Sequence, residues 1–138
     1  MTTIAYKAGV LVGDSQATAD YKYRVKKISR LPDGSMVGFC GVLRKCTAAV
    51  DWMQQGCQGE PPDFDDAQLL MVRTDGSLWI AEGQLPAYRL QDKFAAIGCG
   101  AAMAVGAMAA GASAVDAVKI CCKLDPGTSG PIHTLKLK

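Results

Sequence analysis

The sequence predicts an α+β fold built on a largely antiparallel sheet system. Short β-rich runs come in pairs closed by turn dipeptides, Ala8-Gly9 in one case and Asp75-Gly76 in another. Helical periodicity is confined to separate stretches, one near residues 43–53 and one across 101–123. Strands and helices are therefore grouped, whereas a parallel α/β sheet requires them to alternate.

Residues 3–7 and 10–14 read as a hairpin around Ala8-Gly9. Residues 25–31 place Val25, Ile28 and Leu31 among three basic residues and read as a partly exposed strand. Pro32-Asp33-Gly34-Ser35 is a turn, because proline presets φ and glycine supplies positive φ. Residues 35–40 then read as a buried strand closed by Gly41. Leu43, Cys46, Val50 and Met53 fall at spacings of three and four, which predicts an amphipathic helix ended by Gly56. A polar loop with Pro61-Pro62 follows. Residues 68–72 hold four successive apolar residues, as expected of a strand covered on both faces. Residues 78–81 complete a second hairpin, and 88–90 and 94–97 add short extended pieces. Residues 101–110 form a small-residue helix, and Ser113-x-x-Asp116 caps another running to Lys123. Residues 132–137 read as an edge strand. With no internal repeat or linker, residues 1–138 are read as one domain.

The composition excludes several functions. Fifteen Lys and Arg against thirteen Asp and Glu leave a formal charge of +2, too small to imply nucleic acid or an anionic membrane. No apolar run approaches the ~18 residues needed to span a bilayer. The chain is read as lacking a signal peptide, so a cytoplasmic location and reduced, mostly buried cysteines are expected. The six cysteines contain no C-x-x-C, and neighbours Cys121 and Cys122 diverge on a helix, so no zinc site is predicted. Gly98-Cys99-Gly100 fails as a dinucleotide fingerprint because Met103 holds the third glycine position. Neither a metal nor a cofactor is expected. Lone His133 reads as structural, and Trp52 and Trp79 as core or interface.

The start of the chain carries the chemistry. Removal of Met1, expected before a small residue, leaves Thr2 with both a hydroxyl and a free α-amine. Such an amine titrates near ~7.7–8.0, so part of it is a neutral base at pH 7. A terminal threonine activated by its own amine is a route to covalent acyl transfer.

Thr2-Thr3-Ile4, Gly13-Asp14-Ser15-Gln16-Ala17-Thr18 and Val25-Lys26-Lys27-Ile28-Ser29-Arg30-Leu31 together resemble the N-terminal-nucleophile hydrolases. The closest likeness is to the peptidase subunit of the bacterial two-component ATP-dependent protease, a relative of proteasome β subunits. Gly38-Phe39-Cys40-Gly41 and Ala96-Ile97-Gly98-Cys99-Gly100 extend the resemblance over most of the chain, most strongly over residues 2–41. It implies a four-layer αββα sandwich with two mainly antiparallel sheets, and a threonine-type endopeptidase acting through an acyl-enzyme.

By the same resemblance Thr2 is the nucleophile. Lys27 is the catalytic lysine, Asp14 the carboxylate that holds it, and Gly41 the oxyanion donor. Lys26, one residue along a strand, is expected to point to solvent. Phe39 and Cys40 fall near the first specificity pocket, and Val42 stands where the family has a small residue. Cys99 occupies a position usually held by serine, and a thiol is the weaker hydrogen-bonding group. Asp125 and Thr128, within Asp125-Pro126-Gly127-Thr128-Ser129-Gly130, resemble a supporting Asp-x-x-Ser-Gly loop. The implied partners are a peptide or unfolded-protein substrate, further copies in a ring, and an ATP-driven unfoldase, since this chain has no phosphate-binding P-loop. Two other readings stand beside this one. The chain is otherwise a catalytically silent assembly protein of the same fold, or an amidase acting on a small substrate.

Overall fold

The computed structural model describes residues 2–138; the processing of Met1 lies outside the described residues. In chain order the first strands are β1 (Thr3–Lys7), β2 (Val10–Gly13), β3 (Gln16–Thr18), β4 (Lys22–Arg24), β5 (Ile28–Arg30) and β6 (Met36–Gly41). Helix α1 (Leu43–Gln54) follows, then β7 (Ala67–Val72), β8 (Leu78–Glu82), β9 (Gln84–Arg89) and β10 (Phe94–Gly98). Helices α2 (Ala101–Ala109) and α3 (Ala114–Leu124) precede the last strand, β11 (His133–Lys136).

The strands form a four-stranded sheet in the order β10-β1-β2-β11, a five-stranded sheet in the order β5-β6-β7-β8-β9, and the separate β3–β4 hairpin. Every pairing is antiparallel. The two-residue period of a strand decides which layer each side chain joins. On β1, Ile4 and Tyr6 enter a core shared with Met36, Leu70, Val72 and Ile80 of the other sheet. Ala5, between them, faces Ala104, Met108, Ala117 and Val118 of α2 and α3. On β6, Met36 and Cys40 face the first sheet, whereas Val37 and Phe39 meet Cys46, Val50 and Met53 of α1. Helices α2 and α3 thus lie on one sheet, the sheets lie on each other, and α1 covers the far side. Gly38 permits the close approach of the sheets, because a Cβ there would stand 2.5 Å from Ile4 Cγ2.

Most elements fall where the sequence predicts them. The Ser113 hydroxyl caps α3 by accepting from the Asp116 N–H at 3.1 Å, and β11 forms the edge expected of the tail. Three expectations need correction. The strand anticipated over 25–31 is only Ile28–Arg30 long. Residues 25–27 instead link the β3–β4 hairpin to the second sheet, with the Val25 N–H donating to Ser15 O at 2.9 Å. The β3–β4 hairpin itself escapes sequence reading because its strands are three residues long and largely polar. The piece anticipated at 88–90 is the end of a strand that begins at Gln84 and contains Pro86. Proline is tolerated there because β9 is an edge. The cysteines also divide more evenly than expected. Cys40, Cys46 and Cys121 are buried, Cys122 is half-buried, and Cys57 and Cys99 are exposed.

Candidate active site

The chain ends of four elements converge on Thr2. Strand β1 begins one residue later, and its register sets Thr3 opposite Gly98 of β10, so Cys99 arrives beside Thr2. The turn after β2 supplies Asp14, the linker before β5 supplies Lys27, and the loop after α3 supplies Asp125 and Thr128.

Lys27 crosses the interior to reach Thr2. Its Nζ donates to Thr2 Oγ1 at 2.9 Å, to Asp14 Oδ1 at 3.0 Å and to the Gln16 carbonyl. Lys27 is 1% exposed and Asp14 is fully buried, and theirs is the one salt bridge among the described residues. Two charges withdrawn from water require close pairing and further hydrogen bonds to persist. Asp14 receives them: Oδ1 also accepts from the Thr3 N–H at 3.0 Å, and Oδ2 accepts from the N–H groups of Gln16 at 3.1 Å and Ser129 at 3.3 Å. Lys26 is exposed, so the two adjacent lysines face opposite environments as the sequence anticipates.

A second network holds the other side of Thr2. The single S–H proton of the Cys99 thiol is shared between two acceptors, Asp125 Oδ2 at 2.9 Å and the Thr2 carbonyl at 3.4 Å. Thr128 Oγ1 donates to the same carboxylate oxygen at 2.6 Å. With that proton committed, the Thr3 hydroxyl is the donor in its 2.7 Å contact with Thr128 Oγ1. Hydrogen bonds from Cys99 and Thr128 hold the Asp125 carboxyl below its ordinary range. Partial burial, reinforced by the bond to Asp125, raises the Cys99 thiol. At neutral pH the thiol therefore remains protonated and serves as a donor, not as a thiolate.

Gly98 and Gly100 owe their place to this crowding. Gly98 holds φ at +100°, and a Cβ on it would overlap the Thr2 carbonyl. A Cβ on Gly100 would overlap Thr3 Oγ1. The Gly-Cys-Gly segment thus reflects close approach of backbones rather than a phosphate cradle.

Gly41 ends β6 at φ +108°, pressed against the Asp66 carbonyl. With Cys40, Asp65, Asp66, Gln68, Glu82 and Gly83 it lines a cavity of about 480 Å³. Burial, with a contribution from Cys99, pushes the Cys40 thiol up to about 11. Phe39 is turned into the α1 core, so of the two residues expected near a specificity pocket only Cys40 lines a cavity. Sequence reading misses Thr3, Gln16 and Ser129, whose hydroxyl donates to Gln16 Oε1 at 2.8 Å. Thr3 carries a signal in retrospect, since a strand beginning Thr-Thr puts one hydroxyl on each side. His133 stands 3.5 Å from Ser15 Oγ through Nδ1, away from Thr2. Ser15 itself donates to the Pro131 carbonyl. Among the described residues no cluster of ligating side chains could hold a metal ion, and no helix is long and apolar enough to cross a membrane.

No protein-family model matches the sequence, and a search of curated proteins returns no match. Solved structures do match. The structure of BPH from Thiobacillus denitrificans in complex with epoxomicin aligns with a TM-score of 0.71 at 19% identity, covering 99% of this chain and 98% of that one. BPH alone gives 0.70 at 19% identity. Eukaryotic HslV from Trypanosoma brucei gives 0.67 at 17% identity, covering 98% of each chain. Matched over its length with antiparallel sheets and three helices, the chain has the fold of the N-terminal-nucleophile hydrolases of the proteasome β superfamily.

Proposed function

We propose that this chain, read as one domain with the αββα layering of that fold, is a threonine-type peptidase whose nucleophile is Thr2 once Met1 is removed. The observation that carries the reading is the buried contact of Lys27 Nζ with both Thr2 Oγ1 at 2.9 Å and Asp14 Oδ1 at 3.0 Å. A surface threonine would have no need of a desolvated ammonium at its hydroxyl.

In this reading Thr2 Oγ attacks the substrate carbonyl carbon while its proton passes to the freed α-amine of the same residue. The ammonium of Lys27 disfavours protonation of that amine beforehand and stabilises negative charge on the attacking oxygen. The carbonyl oxygen becomes an oxyanion received by the Gly41 N–H. On collapse the C–N bond breaks, the leaving amine takes the proton held by the α-ammonium, and an ester to Thr2 remains. Water adds to the ester with the α-amine again as base, releasing the acid and regenerating the hydroxyl. Asp14 fixes Lys27. Cys99, Asp125 and Thr128 fix the strand start through the Thr2 carbonyl and Thr3.

The substrate class is a peptide or unfolded chain. An oligomeric assembly and an ATP-driven unfoldase partner belong to the same proposal. Hydrolysis of a fluorogenic peptide by the wild type and by Thr2→Ala tests it. The expected result is complete loss in the variant with an unchanged circular-dichroism spectrum. Equal hydrolysis by both would move the nucleophile elsewhere. No activity in either, with Met1 retained, would favour a silent assembly protein.

A further inference from the structure

Helix α1 ends at Gln54 and covers only part of the outer face of the five-stranded sheet. Beyond its last turn the cross-strand pair Met71 and Trp79 stays half-buried. Trp52, Met53, Met71, Trp79, Leu85 and Pro86 line a cavity there of about 670 Å³. That volume falls within the ~300–1,000 Å³ that small-molecule sites occupy. Both tryptophans of the chain line it. The cavity reaches Ser35, just before β6, whereas Gly41 closes the far end of that strand. At ~3.3 Å per residue the two ends stand about 20 Å apart, so the cavity is separate from the site around Thr2.

Two charged side chains line the cavity, Asp33 and Arg73. The carboxylate of Asp33 is engaged, accepting from the Ser35 N–H at 2.9 Å and from its hydroxyl at 3.0 Å. The indole N–H groups are engaged as well. Trp79 donates to Ser77 Oγ at 2.9 Å and Trp52 to the Gly59 carbonyl at 3.4 Å, so both present their rings to the cavity. Arg73 differs. It is exposed, its Cζ lies 4.3 Å from the centroid of the Trp79 ring, and its guanidinium makes no hydrogen bond or ion pair among the described residues. A guanidinium stacked on an indole is held in orientation while its in-plane N–H groups stay open, the fork that fits a carboxylate. The geometry points to a second binding site, for a small aromatic carboxylate whose ring packs on Trp52, Met71 and Trp79 and whose carboxylate is held by Arg73. Thioether and indole groups favour an aromatic body over a plain alkyl one. The hydrogen bonds from Ser35 hold the Asp33 carboxyl below its ordinary range, and Arg73 adds a smaller contribution, so a negative charge stands near the guanidinium. That charge opposes a second one on the ligand, which is therefore a monoanion. The site rests on none of the chemistry proposed for Thr2.

Because both tryptophans line the cavity, tryptophan emission of the full chain reports its occupancy directly. Titration with 3-phenylpropionate should give a saturable change in emission, with a Kd by calorimetry of about 1 mM or tighter. The neutral 3-phenylpropionamide should bind tenfold or more weakly, since the charge-assisted hydrogen bonds are lost. Inorganic phosphate should leave the emission unchanged. Arg73→Gln should weaken binding of the acid tenfold or more and leave that of the amide as it was. Thr2→Ala should bind the acid as the wild type does. The proposal is overturned by the absence of a saturable change, by equal binding of acid and amide, by an acid affinity unchanged in Arg73→Gln, or by loss of binding in Thr2→Ala. A peptide ending in phenylalanine that displaces 3-phenylpropionate and binds tenfold or more tightly would give the cavity to a protein tail, which also overturns it. Circular dichroism monitors folding. Should Arg73→Gln fail to fold, Arg73→Lys keeps the charge without the fork and repeats the comparison, with the acid weakened and the amide unchanged.

Discussion

Lys27 and Lys26 are adjacent in sequence and opposite in environment, which makes them a controlled pair. Lys27→Ala leaves the Asp14 carboxylate buried without its cation, and breaking a buried pair costs about 3–5 kcal/mol. Lys26→Ala, at an exposed position, should change stability by no more than about 0.5 kcal/mol. Chemical denaturation of both variants checks the contrast, and peptide hydrolysis should fall by a large factor only in the first. Asp125 offers a test in pH. Its carboxyl is lower in the folded chain than unfolded, so its stabilising contribution is full above the unfolded value and disappears as pH falls through the folded one. The stability difference between wild type and Asp125→Asn should therefore be constant above about pH 5 and shrink below it. Cys99→Ser keeps a donor at the same place and is expected to maintain or raise hydrolysis. Loss of activity in that variant would make the thiol itself a participant. Because the thiol is raised, iodoacetamide should label Cys99 more slowly than a free thiol at the same pH.

Among elements, the ones that sequence reveals are those whose pattern is set by burial. Strand β1 alternates between the inter-sheet core and the helix-facing core, α1 repeats at three and four, and α3 announces itself by its cap. Ser113→Ala removes that cap and should cost about 1 kcal/mol in thermal or urea unfolding. Gly38→Ala should cost about 1–3 kcal/mol, because its Cβ lands on Ile4 between the sheets. The elements that sequence hides are those fixed by tertiary contact. Strand β4 is exposed throughout and β3 is only three residues long with its polar Gln16 buried, so neither has an alternation to read, and β9 carries a proline that argues against a strand until its edge position is known. The site divides the same way. Asp14, Lys27 and Cys99 are legible from a resemblance in order and spacing, and the fold brings them to Thr2. Thr3 is hidden because its role depends on Thr128, 125 residues away.

At the scale of the whole molecule, two sheets and their helices hold the start of β1 in place. Strand β1 pairs on both sides, with β2 and β10, and its first residues are fixed by Asp14 below and by Thr128 and Cys99 beside them. Such anchoring suits the role proposed for Thr2 as a reacting terminus, where a free end would ordinarily fray. In the proposed mechanism residue 2 is both attacking oxygen and proton acceptor. The most direct test of this is intact-mass spectrometry with peptide mapping after incubation with epoxomicin, the compound bound in the BPH complex. The predicted result is a chain lacking Met1 that carries one inhibitor on Thr2. A chain that retains Met1 and stays unmodified, or an adduct mapped to any other residue, would contradict it.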